Sequence, residues 1–116
     1  MARNTYESAA QALEDVGAFG EWLAQHAEEV VGKPLAPVAC PLACWLQEVV
    51  GGQWGVTSGW CHGVDGWEAV EMPKWAGRFV VRIDVECGPS QEVMGWKALE
   101  VLQQVLHEEA AAGVLW

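Results

Sequence analysis

The sequence predicts an α+β fold of about four helices packed with one antiparallel β-hairpin, in the order α-α-β-β-α-α. Three observations lead there: apolar residues recur every three or four positions in four segments, a fifth alternates around an Asp-Gly pair, and Gly or Pro punctuates the joins. With 116 residues, 52% of them hydrophobic and 19% charged, the chain can bury one core and has too little charge density for an acidic disordered tail. A single domain over residues 1–116 is expected.

From Thr5 to Val31 the residues Leu13, Val16, Leu23, Ala27 and Val30 share one stripe, with Phe19 and Trp22 on its flank. This is an amphipathic helix. Gly17 and Gly20 weaken it by about 1 kcal/mol each against Ala and favour a kink or a break near them. Gly32, Pro34 and Pro37 then mark a stop and an extended connector. Cys40 to Val50 reads as a short second helix, with Pro41 at the first helical position and Leu42, Trp45, Leu46 and Val49 on one face.

Trp54 to Trp60 alternates, and after Gly63-Val64-Asp65-Gly66 the run Trp67 to Glu71 returns beside it as the second strand of a hairpin. Residues 73–84 fit two patterns. Helical spacing places Trp75, Ala76, Phe79, Val80 and Ile83 on one stripe; alternation places Val81, Ile83 and Val85 on one face of a strand. Helix is the favoured reading, opened by Pro73. After a turn at Cys87-Gly88-Pro89-Ser90, a last helix presents Gly95, Ala98, Leu99, Leu102, Val105 and Leu106, with Met94 and Val101 widening the stripe. So apolar a terminal helix on a small body suggests a homodimer contact.

Three pieces line up along the chain: Trp22-Leu23 ahead of Val31-Gly32, then Cys40-Pro41-Leu42-Ala43 followed by Trp45-Leu46, then Pro73 with Trp75-Ala76, Phe79-Val80 and Ile83-Asp84. With Ala98-Leu99, this order resembles a group of small bacterial and phage-borne proteins of unassigned function. The resemblance brings no activity, substrate or site. It implies that the Cys-Pro-Leu-Ala corner and the Trp-Ala-x-x-Phe-Val segment belong to the scaffold, and it favours helix over 73–84.

Six basic residues against sixteen acids, a formal charge of −10, cannot form the phosphate-neutralising stripe of a direct nucleic-acid binder. The acids could imitate nucleic acid toward a basic groove, but they are scattered and read more simply as solvated helix faces. No run approaches the roughly 20 apolar residues of a membrane span, and no secretory signal opens the chain, so a cytoplasmic protein is expected. The same context makes Cys40, Cys44, Cys61 and Cys87 thiols rather than disulfides.

Candidate chemistry is sparse. Cys40 at a helix N-terminus would have its thiol pKa lowered there and could act as a nucleophile with His62 or His107 as base, although no third group orients either imidazole. Cys40, Cys44, Cys61 and His62 are the metal-ligand candidates, but none of their intervals is the two-residue knuckle usual for structural zinc. No phosphate-cradling glycine loop is present, and no cofactor is implied. A binding role fares better. Trp54, Trp60, Trp67 and Trp75 fall in or next to one hairpin, where alternation pushes some of them outward. The expected function is therefore a non-catalytic accessory protein, of phage or mobile-element type, that engages a host protein or small ligand through a Trp-rich surface. A thiol enzyme and an acidic inhibitor are the alternatives.

Overall fold

The computed structural model describes residues 5–57, 59–63, 69–88 and 92–111, and these form five helices and two small antiparallel sheets. The α+β class agrees with the sequence pattern, whereas the element order does not. The predicted first helix is two, α1 (Thr5–Leu13) and α2 (Val16–Gln25). The break expected near Gly17 and Gly20 occurs at Glu14-Asp15, just before them, because the Asp15 side chain accepts the Ala18 N–H at 3.0 Å and so starts a new helix. Gly20 remains helical. Its α-carbon faces Leu102 of the last helix, which packs on α2.

The helix also stops earlier than predicted. His26 caps α2, and Val30–Gly32 forms β1, which pairs antiparallel with β5 (Val93–Met94). Gly95 N–H donates to Glu29 C=O and Trp96 N–H to Ala27 C=O, both at 2.9 Å, which carries this join into α5 (Gly95–Ala111). A Cβ on Gly95 would stand 2.1 Å from the His26 carbonyl oxygen, so only glycine permits the crossing. The two strands total five residues and carry no alternation, so they left no periodic signal in the sequence.

Helix α3 (Pro41–Val49) begins where Pro41 predicts. The hairpin becomes a three-stranded meander of β2 (Trp54–Val56), β3 (Trp60–Gly63) and β4 (Ala69–Glu71), with β3 in the middle. Trp54 to Trp60 is thus not one strand. Thr57 turns the chain: its N–H and hydroxyl both donate to the Trp60 carbonyl, at 2.8 and 3.1 Å. The expected Asp65-Gly66 turn and Trp67 lie outside the described residues. Two residues after β4, α4 (Lys74–Cys87) confirms the helical reading of this segment and runs three residues beyond it.

Helices α2, α3 and α4 meet around one ring. Phe19 is fully buried, with ring centroids of Trp45 at 5.0 Å, Phe79 at 5.1 Å, Trp75 at 5.9 Å and Trp22 at 6.2 Å. The Phe79 ring meets it edge-on at 87°, the arrangement that the aromatic quadrupole favours. Trp75 also donates its indole N–H to the Leu13 carbonyl at 3.2 Å, tying α4 to the end of α1. All five residues of the predicted α4 stripe are buried. Helix α5 packs on both α2 and α4 through Ala98, Val101, Leu102 and Val105, which are buried, while Leu99 and Leu106 of the predicted stripe are half-buried.

Candidate functional site

The outward side of α4 forms one wall of a groove of about 660 Å³, and the β3–β4 pair forms the other. Its position follows from the chain path. Trp60 stands opposite Glu71 in the β3–β4 ladder, Met72 N–H donates to the Gly59 carbonyl at 2.9 Å, and Pro73 turns the chain straight into α4. Trp60 therefore lies alongside the helix it precedes by fourteen residues. Gly77 presents no side chain and widens the space, while Met72, Pro73, Val81 and Val85 supply its apolar lining.

Three of the chain's six basic residues, Lys74, Arg78 and Arg82, line this groove at successive four-residue steps along α4. Val81 and Val85 lie between and beyond them. Both valines are exposed, Val85 at 72%, and Trp60 is 49% exposed. The groove thus combines large apolar surface left uncovered with a row of cations, in a protein that is acidic elsewhere.

The cations differ in their engagements. Arg82 reaches Glu108 at 2.5 Å, Gln104 at 3.3 Å and Glu86 at 3.6 Å; hydrogen bonding to Arg82 holds the Glu108 carboxyl below its ordinary pKa and raises that of the guanidinium. Arg78 meets Glu109 through Nε at 2.5 Å. Glu109 is only 2% exposed, yet among the described residues no N–H is directed at its Oε1, so the contact is one of charge rather than an aligned hydrogen bond. Beyond Glu109, Arg78 has no ion pair or hydrogen bond among the described residues, and its side chain stays 60% exposed. Lys74 makes no ion pair among them.

Of the predicted tryptophan surface, only Trp60 is exposed among the described positions. Trp54 and Trp75 are each 2% exposed and belong to the core, where the Trp54 indole N–H donates to the Gly51 carbonyl at 2.9 Å. The physical reason for Trp54 is the Thr57 turn: by ending β2 at Val56 it leaves the first strand wholly buried instead of alternating. Trp67 lies outside the described residues.

The thiol and metal candidates do not converge. Cys40 is the N-cap of α3, as expected, but burial pushes its thiol up from 9.0 to about 11, outweighing the lowering effect of the Ala43 and Leu42 N–H groups. The expected activation is thereby reversed. A cavity of about 340 Å³ beside Cys40 is lined by Leu35, Pro37, Val56, Val80 and Asp84 among others, and by no histidine among the described residues. Cys61 is fully buried while its neighbour His62 points out of the sheet and covers Gly55, whose absent side chain makes room for the imidazole. No group of three or more metal-ligating side chains gathers among the described residues. Cys44 is likewise raised by burial, and His107 is exposed on α5.

Comparison with protein-family models, with curated proteins and with solved structures finds no match to this chain. Among the described residues no helix is long and apolar enough to cross a membrane. Function is therefore read from the groove itself. Lys74, Arg78, Arg82, Val81 and Val85 were missed by motif reasoning, though a signal existed: two valines off the α4 core stripe, beside half of a scarce set of cations.

Proposed function

We propose that this chain is a non-catalytic binding protein whose working surface is the groove between α4 and the β3–β4 pair, with Trp60 as its anchor. The observation that carries this reading is the gathering of Trp60, Val81 and Val85, all substantially exposed, in one cation-lined concavity. Concave, mostly apolar surfaces with a few convergent polar groups are where proteins take ligands. Trp54 and Trp75 are buried in the core, whereas Trp60 is half exposed, so core filling does not account for it. Against thiol catalysis stands the burial that raises the Cys40 pKa. A protein of this kind holds a ligand and hands it on or sequesters it, the behaviour of an accessory component.

The test uses N-phenyl-1-naphthylamine, a neutral apolar dye that brightens on leaving water. Saturable binding is expected, weakened at least about fivefold by Trp60→Ala, a loss of about 1 kcal/mol. Trp96→Ala serves as control, because Trp96 is equally exposed but lies outside the groove. No saturable binding, or equal binding by the two variants, refutes the reading.

A further inference from the structure

We propose that the groove is selective for a small organic anion, with an apolar or aromatic body lying on Trp60 and Val81 and an oxyanion head held by Arg78 and Lys74. The inference rests on the groove being the working surface, and it specifies the ligand class. Charge complementarity is its first support: Lys74, Arg78 and Arg82 stand on one wall, and of these Lys74 and Arg78 retain donors that no other described residue uses. Arg82, engaged by Glu108, Gln104 and Glu86, belongs to the frame.

The Arg78–Glu109 contact is the second support. A carboxylate buried to 2% exposure persists only beside a compensating charge, so Glu109 fixes where the guanidinium sits. The closest approach is at Nε, the side chain remains 60% exposed, and the two Nη groups have no other partner among the described residues. The opposite edge of a guanidinium carries the parallel pair of N–H groups that fits an oxyanion in bidentate fashion. Glu109 is on this account a positioning residue, acting on the ligand through Arg78.

Size is the third. The groove of about 660 Å³ falls in the range that encloses small molecules. Glu71 also lines the groove and opposes a second anionic group, which favours a ligand with one charged end.

The test pairs two dyes that differ only in charge: 1-anilinonaphthalene-8-sulfonate, and the neutral N-phenyl-1-naphthylamine, which is the same body without the sulfonate. Binding of both is measured for the unaltered chain, for Lys74→Gln, and for the double variant Arg78→Gln with Glu109→Gln. The double variant avoids stranding a buried carboxylate, and unfolding midpoints establish that each variant folds. Loss of the charge-assisted pair should weaken the sulfonate at least about tenfold in the double variant. Lys74→Gln should weaken it by a smaller factor, and the neutral dye should change less than about twofold in either. If the neutral dye binds through Trp60 but both dyes respond alike to the charge substitutions, the anion inference falls and the groove reading stands. If neither dye binds saturably, both fall.

Discussion

Replacing Phe19 by Ala tests the account of the core, because four rings from three helices converge on it. Phe19 is fully buried, with centroid distances between 5.0 and 6.2 Å to Trp45, Phe79, Trp75 and Trp22. Truncating a buried Phe to Ala costs about 3–5 kcal/mol in transfer and cavity terms. The upper end applies here, since the surrounding indoles are large, rigid and held from outside: Trp75 by its hydrogen bond to Leu13, Trp22 by one to Glu48. Neither ring can fall into the space without breaking that bond. A chain of this length has a total stability of about 6–17 kcal/mol, so a loss of 4–5 kcal/mol on that scale is a large share of it. Urea unfolding followed by tryptophan fluorescence and circular dichroism reads the change, and with a slope of about 2 kcal/mol/M the midpoint should fall by about 2 M. Phe19→Leu keeps most of the volume and loses the ring pairings, for an expected cost of about 1–1.5 kcal/mol. A loss below about 1 kcal/mol for Phe19→Ala, with an unchanged slope, would refute the convergence of α2, α3 and α4 on this ring.

Three further outcomes follow from the same structure. Asp15→Ala removes the acceptor for the Ala18 N–H and should lower stability by about 1 kcal/mol, with Asp15→Asn close to unaltered; equal midpoints for Ala and Asn would mean that Asp15 does not start α2. The thiols of Cys40 and Cys61 are raised by burial from 9.0 to about 11, so the folded state favours their protonated forms. That stabilisation is complete below pH 9.0 and is lost as pH rises through about 11. Unfolding midpoints should therefore decline across this alkaline window, and less steeply in Cys40→Ala or Cys61→Ala. Iodoacetamide should alkylate Cys40 far more slowly in the folded than in the urea-unfolded chain, and equal rates would contradict its burial.

Where a segment has a long periodic pattern, sequence and structure agree. The α4 stripe of Trp75, Ala76, Phe79, Val80 and Ile83 and the α5 stripe of Ala98, Leu102 and Val105 are buried as spaced. What escaped was short or non-local. The β1–β5 pair joins residues some sixty positions apart through strands of three and two residues, too short for any period to register. The break between α1 and α2 is marked by two residue types, the glycines that weaken the helix near it and Asp15, a preferred capping residue that fixes its exact place. Thr57-Ser58-Gly59 is likewise a turn signal inside an apparent alternation. Overlooking it gave Trp54 an outward role that the buried strand β2 denies. The reversal at Cys40 has a different origin: the N–H groups of a helix N-terminus lower a thiol pKa, desolvation of a buried sulfur raises it by more, and sequence position carries no measure of burial.

The placement of charge explains how an acidic protein can hold an anion at all. At physiological salt a surface charge is screened beyond about 8 Å, so a small ligand in the groove senses chiefly Lys74, Arg78, Arg82 and the acids beside them. The remaining acids, spread over the other helix faces, scarcely act at that range. A polyanion long enough to pass beyond the groove would meet them in turn, and the net charge of −10 would oppose it. The same arrangement therefore favours a compact anion and penalises a nucleic-acid strand. It also gives Glu108 and Glu109 a purpose on α5: by pairing with Arg82 and Arg78 they hold a cationic wall in place on a helix whose neighbours would otherwise leave its long side chains free. Apolar exposure at Val81 and Val85, which costs the isolated chain solubility and adds nothing to its core, is accounted for on the same face.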